Sequence, residues 1–129
     1  YTPVILKTMH SPWKMPMLIA VWAIAVIGIT YTAMKPRLAA WARHRIVSTL
    51  IYLSMGWLAV ARVDEIWSAL TPTGRFYLLA GGVSYSLGAC VYAFKWPRLF
   101  QGVFGFHELW HIAVLMGFGF HFLLVLGLY

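Results

Sequence analysis

The pattern of apolar and polar positions along this chain is coarse: long apolar stretches alternate with short polar, Pro- or Gly-marked connections. Four stretches reach the roughly 20 helical residues that cross a hydrocarbon core of about 30 Å. They run from about Met15 to Ala33, His44 to Ala61, Phe76 to Phe94 and Phe106 to Tyr129. In lipid only a helix satisfies its own backbone at this length, because a barrel strand needs about ten residues and an alternating pattern. The pattern predicts an all-α, polytopic bundle forming a single transmembrane domain over 1–129.

The connections carry the punctuation. Pro36 and Pro97 each follow an apolar run and a Lys, where a missing N–H and a restricted preceding residue favour the end of a helix. Thr71-Pro-Thr-Gly reads as a turn before the third span. That span holds Gly81, Gly82, Ser84, Ser86, Gly88 and Ala89, small residues that let helices approach closely in lipid, and it is expected near the centre of the bundle. No internal repeat or separate soluble domain is visible.

Composition agrees with the pattern. Of 129 residues, 62% are hydrophobic and 10% charged, against about 25% charged in soluble domains. Seven Trp and seven Tyr, many near span ends, suit an interfacial aromatic belt. The lone Cys90 excludes an internal disulfide and reads as a packing residue.

A net charge of +7 does not point to nucleic acid, because the basic residues are scattered over short connections. Lys35, Arg37, Arg43 and Arg45 lie between the first two spans, and Lys95 and Arg98 between the last two, with no acid in either. Both connections are expected on the cytoplasmic side, which places the C-terminus outside. Arg62 and Arg75 balance Asp64 and Glu65 on the opposite side. Lys7 and Lys14 weaken this bias without reversing it. The chain opens on Tyr1-Thr-Pro without a secretory leader pattern and reads as a truncated protein.

The candidate chemistry is a histidine pair, His107 and His111, in Phe104-Gly-Phe-His-Glu-Leu-Trp-His111. Spacing of i and i+4 on a helix stacks both imidazoles on one face, close enough to share a metal ion. Polar groups at membrane depth are costly and mark functional sites. Zinc takes three or four ligands, so two histidines are insufficient. His121 shares the face of His107 to within roughly 40°, but at 1.5 Å rise it lies about 15 Å beyond His111 along the axis. His44 begins the second span on the same side and is a third-ligand candidate or a basic interfacial residue; His10 falls on the opposite side. His107-Glu-Leu-Trp-His111 also spells H-E-x-x-H, in which Glu108 is the general base of a zinc metalloprotease. No other carboxylate is expected at that depth to complete such a site.

Several segments together carry a family resemblance. Tyr1-Thr-Pro, Tyr52-Leu-Ser-Met-Gly-Trp57, Gly81-Gly-Val-Ser-Tyr-Ser-Leu-Gly88 with Tyr92, the His107–His111 motif and His121-Phe122 resemble the hemolysin III family. That family is the bacterial branch of the progestin and adipoQ receptor superfamily, which includes the adiponectin receptors. The resemblance implies a seven-helix protein of the bacterial cell membrane, with the N-terminus cytoplasmic and the C-terminus outside. It implies zinc held by three histidines near the cytoplasmic face. His107 and His111 match two of these ligands. The third belongs to a Ser-x-x-x-His helix with no counterpart here, and an Asp near the zinc-held water is likewise missing. The four spans then correspond to helices four to seven. In this light Glu108 reads as an interfacial or supporting carboxylate, and His121 as a recurrent family histidine that is not a ligand.

The expected function is a zinc-binding membrane protein, with possible ceramidase-like hydrolysis of a lipid amide by zinc-activated water. Competing readings are a receptor or membrane-homeostasis protein with structural zinc, and the H-E-x-x-H intramembrane protease. Membrane lipids are the expected surroundings and a lipid the possible substrate. The sequence leaves the substrate and the oligomeric state open. A transporter reading finds no charged residue at mid-span to mark an ion path.

Overall fold

A computed structural model describes residues 1–38, 45–97 and 104–129. Among them every regular element is helical: α1 (Thr2–Thr8), α2 (Lys14–Met34), α3 (Arg45–Trp57), α4 (Val63–Ala69), α5 (Pro72–Phe94) and α6 (Phe106–Leu126), with 3-10 turns at Lys35–Arg37 and Leu58–Arg62. Four stretches are long and apolar enough to cross a membrane: Lys14–Arg37, Ile46–Ala69, Pro72–Phe94 and Phe106–Leu126. Their outward residues confirm that water is the wrong solvent. Leu79, Val83 and Leu87 form an i, i+4, i+8 stripe on α5, each more than half exposed, and Leu115 and Phe118 on α6 are similarly bare. Such stripes suit lipid, where an exposed apolar side chain costs nothing.

The chain forms two compact units, Tyr1–Leu70 and Thr71–Tyr129. In the first, α1 packs on α2 and α4, and α2 on α3. Val4, Ile5 and Met9 from the α1 end, with Ile66 and Leu70 from the α4 end, are its most buried residues. Thr8 tolerates this burial because its hydroxyl donates to the Val4 carbonyl at 2.8 Å. The short α1 escapes hydropathy reading, since seven residues are too few to show as a span. Gly28 of α2 lies against Ile51 and Tyr52 of α3, where an added Cβ would sit 3.4 Å and 3.5 Å from their side chains.

The second candidate span reaches Ala69, beyond the expected end at Ala61, but not as one continuous helix: α3 gives way to the 3-10 turn Leu58–Arg62, the backbone leaves helical angles at Arg62 (φ −134°, ψ 42°), and α4 restarts at Val63. The charges are held together at this break, the Arg62 guanidinium bonding Asp64 at 3.2 Å and also Glu65. Both acids occupy the first turn of α4, where the helix dipole favours negative charge. Thr71-Pro-Thr-Gly is likewise part of a helix rather than a turn before it. Thr71 is the N-cap, its hydroxyl accepting the Gly74 N–H at 3.1 Å, and Pro72 takes the first helical position, where its missing N–H costs nothing.

In the second unit α5 and α6 pack closely side by side. The pairings Gly81–His121, Tyr85–Gly117, Gly88–Ala113 and Tyr92–Trp110 move down α6 as they move up α5, so the helices are antiparallel. Glycines set the approach. A Cβ at Gly81 would collide with the His121 imidazole, one at Gly88 would meet Ala113 Cβ at 2.9 Å, and one at Gly117 would meet the Tyr85 ring at 2.8 Å. The small residues of α5 thus do what their composition predicts for a lipid-embedded pair. Ser84 and Ser86 donate to the carbonyls of Ala80 and Gly82 one turn back in the same helix. Cys90 is exposed on α5 rather than packed inside, a position a weakly polar thiol tolerates beside lipid.

Candidate metal centre

The first turn of α6 is built by its own sequence. Gly105, the N-cap, is extended at φ −128° and ψ −162°, and its N–H donates to Glu108 Oε2 at 2.8 Å. Lacking a side chain, Gly105 supplies only the backbone half of a capping box; Glu108 supplies the other half. The Glu108 carboxylate is thereby turned back to the helix start, where the dipole also favours it. The position that makes the motif spell H-E-x-x-H is occupied by a capping residue.

One turn of helix carries both histidines on an exposed face. His107 Nε2 and His111 Nε2 are 3.2 Å apart, with ring centroids at 4.7 Å and planes nearly perpendicular at 88°. Two nitrogens bound to one tetrahedral zinc at about 2.0–2.1 Å stand about 3.3 Å apart. The separation of the pair is thus close to that of two corners of such a site. The same separation suits an N–H···N bond between neutral rings, one Nε2 donating to the other.

Behind the pair stands an aromatic wall that the sequence reading did not single out as part of the site. The Trp110 indole lies 5.3 Å from the His107 ring and 4.5 Å from the His111 ring, tilted by 46° and 43°. On its other side Tyr92 of α5 lies 4.8 Å away at 36°. Gly88 lies beside this packing, its nearest α6 neighbour being Ala113, which an added Cβ would meet at 2.9 Å, while Trp110 Cδ1 stands at an ordinary contact distance of 3.6 Å. The signal in the sequence is that Trp110 is three positions after His107 and adjacent to His111. What hydropathy does not give is the rotation of α5 that brings Tyr92 to it.

The other histidines separate from the pair. His121 is partly buried between α5 and α6, its Nε2 3.4 Å from the Leu78 carbonyl and its ring 5.5 Å from that of Tyr85. It packs the helix pair together, far along α6 from His111. His10 belongs to the first unit, following α1. His44, the candidate third ligand, lies outside the described residues, as do Arg43 and Arg98. Among the described residues no three His, Cys, Asp or Glu side chains gather closely enough to hold a metal ion. The geometry brings two imidazoles together on one exposed helical turn.

Comparison with known proteins places the whole chain. The profile of the family described as Haemolysin-III related matches residues 1–122. The chain is 36% identical over 126 residues to Hemolysin-3 of Bacillus cereus, a match taking in 98% of this chain and 52% of that protein. It is 31% identical over 118 residues to a Hemolysin-3 homolog of Bacillus subtilis (strain 168), taking in 91% of this chain and 50% of that protein. The chain thus spans about half the length of the curated relatives it matches. No solved structure matches it.

Proposed function

This chain belongs to the haemolysin-III related family of membrane proteins, and from that premise we propose that it contributes His107 and His111 to a zinc site of a bacterial inner-membrane protein. The observation that carries this reading is the 3.2 Å separation of the two Nε2 atoms on an exposed helical face. Remaining ligands come from outside the described residues, the family resemblance favouring a histidine on a helix that has no counterpart in 1–129. The acid-free basic connections favour a cytoplasmic location for the start of α6 and an extracytoplasmic C-terminus.

Each neighbouring residue has a task in this reading. Trp110 limits the rotation of both imidazoles, Tyr92 backs Trp110, and Glu108 fixes the turn on which the histidines stand. Zinc bound there would supply Lewis acidity and an acidified water, which suits hydrolysis of a lipid amide entering from the bilayer. The protease reading has less support, because the Glu108 carboxylate is committed to the Gly105 N–H.

The test is elemental analysis of purified protein and of His107→Ala and His111→Ala. Zinc in the parent protein and loss of most of it in each variant is the expected result. Parent-like zinc in both variants would overturn the assignment. Hydrolysis is tested separately, by following release of fatty acid from a fluorescent N-acyl sphingosine in the parent protein and the same variants.

A further inference from the structure

The chain has ten Lys and Arg but only three carboxylates, and all three are committed. Asp64 and Glu65 both bind Arg62, and Glu108 accepts from the Gly105 N–H. No Asp or Glu occurs between Met15 and Arg62, so the α2–α3 pair carries no acid of its own. Lys35 and Arg37 lie in the 3-10 turn that ends the first candidate span, Lys14–Arg37, where a span of that length would meet lipid headgroups. The Lys35 ammonium donates to the Ser48 hydroxyl of α3 at 3.4 Å, a neutral partner. Arg37 is exposed.

The same end of the helix pair offers hydroxyls and apolar flanks. One turn deeper than Lys35, Thr32 Oγ1 and Tyr52 OH are 3.1 Å apart, tying α2 to α3. The Thr32 hydroxyl also donates to the Gly28 carbonyl at 2.8 Å, so Tyr52 is the donor in that pair. Ile29 and Met34 on α2, with Ile46 and Leu50 on α3, are exposed apolar side chains on either side. Two cations and a hydroxyl at headgroup depth, with apolar surface below, match one molecule: a phospholipid with an anionic headgroup. Its phosphodiester would meet Lys35, Arg37 and Ser48, and its acyl chains would cover the apolar surface.

We propose that Lys35, Arg37 and Ser48 form a headgroup site for an anionic phospholipid at the end of the α2–α3 pair. This site is independent of the histidine pair and stands whether or not zinc binds there. Basic residues close to a bilayer attract anionic lipid by an amount equivalent to about fivefold per charge. The attraction weakens with salt, as surface electrostatics do.

The experiment is native mass spectrometry and thermal melting of the full chain in neutral detergent, titrated with phosphatidylglycerol, phosphatidylcholine or inorganic phosphate. The expected result is preferential retention of phosphatidylglycerol and a rise in Tm that phosphatidylcholine does not reproduce. Arg37→Gln should weaken the preference about fivefold, and Lys35→Gln with Arg37→Gln by about twentyfold or more, with helical content unchanged by circular dichroism. Lys95→Gln should leave it intact. Equal retention of the two lipids by the parent protein would overturn the proposal, and so would a preference that survives Arg37→Gln or is lost equally in Lys95→Gln. Equal stabilisation by inorganic phosphate would overturn the lipid as occupant.

Discussion

Gly117 of α6 lies flat against the ring of Tyr85 on α5, so close that a Cβ at 117 would stand 2.8–2.9 Å from three ring atoms. Gly82 and Gly119 have nothing within 4 Å of the same imagined atom. Gly117→Ala should therefore push the Tyr85 ring or spread the helices, at a cost of about 1–3 kcal/mol. Gly82→Ala and Gly119→Ala should be neutral or slightly stabilising, by up to about 1 kcal/mol, because Ala favours helix. Melting temperatures in one detergent distinguish the two classes, and equal effects would contradict the packing described.

Glu108 separates a capping role from a catalytic one. Glu108→Gln keeps an oxygen that accepts from the Gly105 N–H, so zinc content and any hydrolytic rate should stay within about threefold of the parent protein. Glu108→Ala should lower the melting temperature through the lost bond to the Gly105 N–H. A general base would behave otherwise, its removal lowering the rate about 10²- to 10⁴-fold with metal still bound. Rate and zinc content measured together on Glu108→Gln decide the matter.

In the proposed zinc site Trp110 positions the histidine pair, its indole lying against both imidazoles. Supporting contacts around metal ligands are worth about 10- to 100-fold in affinity, so Trp110→Ala should weaken zinc binding by about tenfold or more. Trp110→Phe, which retains a flat ring against both imidazoles, should recover most of the loss. Competition against a chromophoric chelator measures both variants. Equal affinities for parent protein and Trp110→Ala would remove the indole from the site.

Thr71 begins α5, and its hydroxyl is the cap for the Gly74 N–H. Thr71→Ala should lower stability by about 1 kcal/mol, and Thr71→Ser should leave it nearly unchanged. Thermal denaturation of the two variants checks this, and identical losses would mean the hydroxyl is not the stabilising group.

These particulars show what was legible in the residues themselves. Four spans followed from apolar run length, because lipid leaves a run of this length few alternatives to a helix. The histidine pair followed from i, i+4 spacing, a property of one helix. Span edges were less legible at Arg62 and at Thr71-Pro72, where charge and proline usually signal a break. At Arg62 the backbone does break, but the mutual neutralisation of Arg62 with Asp64 and Glu65 lets a further helix follow at once, and at Thr71 capping makes the proline the first residue of α5. Contacts such as Gly81 with His121 or Tyr92 with Trp110 depend on how two helices rotate about each other, and no periodicity in either helix alone encodes that angle.

The Glu108–Gly105 bond also bears on modularity. The backbone spacing of His107 and His111 is contained in a single hydrogen-bonded turn closed by its own carboxylate, whereas the ring orientations also depend on Trp110 and, through it, on Tyr92 of α5. Transplanted onto another capped helix, Gly-Phe-His-Glu-Leu-Trp-His would carry the backbone spacing of its imidazoles along, and the neighbouring helix would have to supply what Tyr92 supplies here.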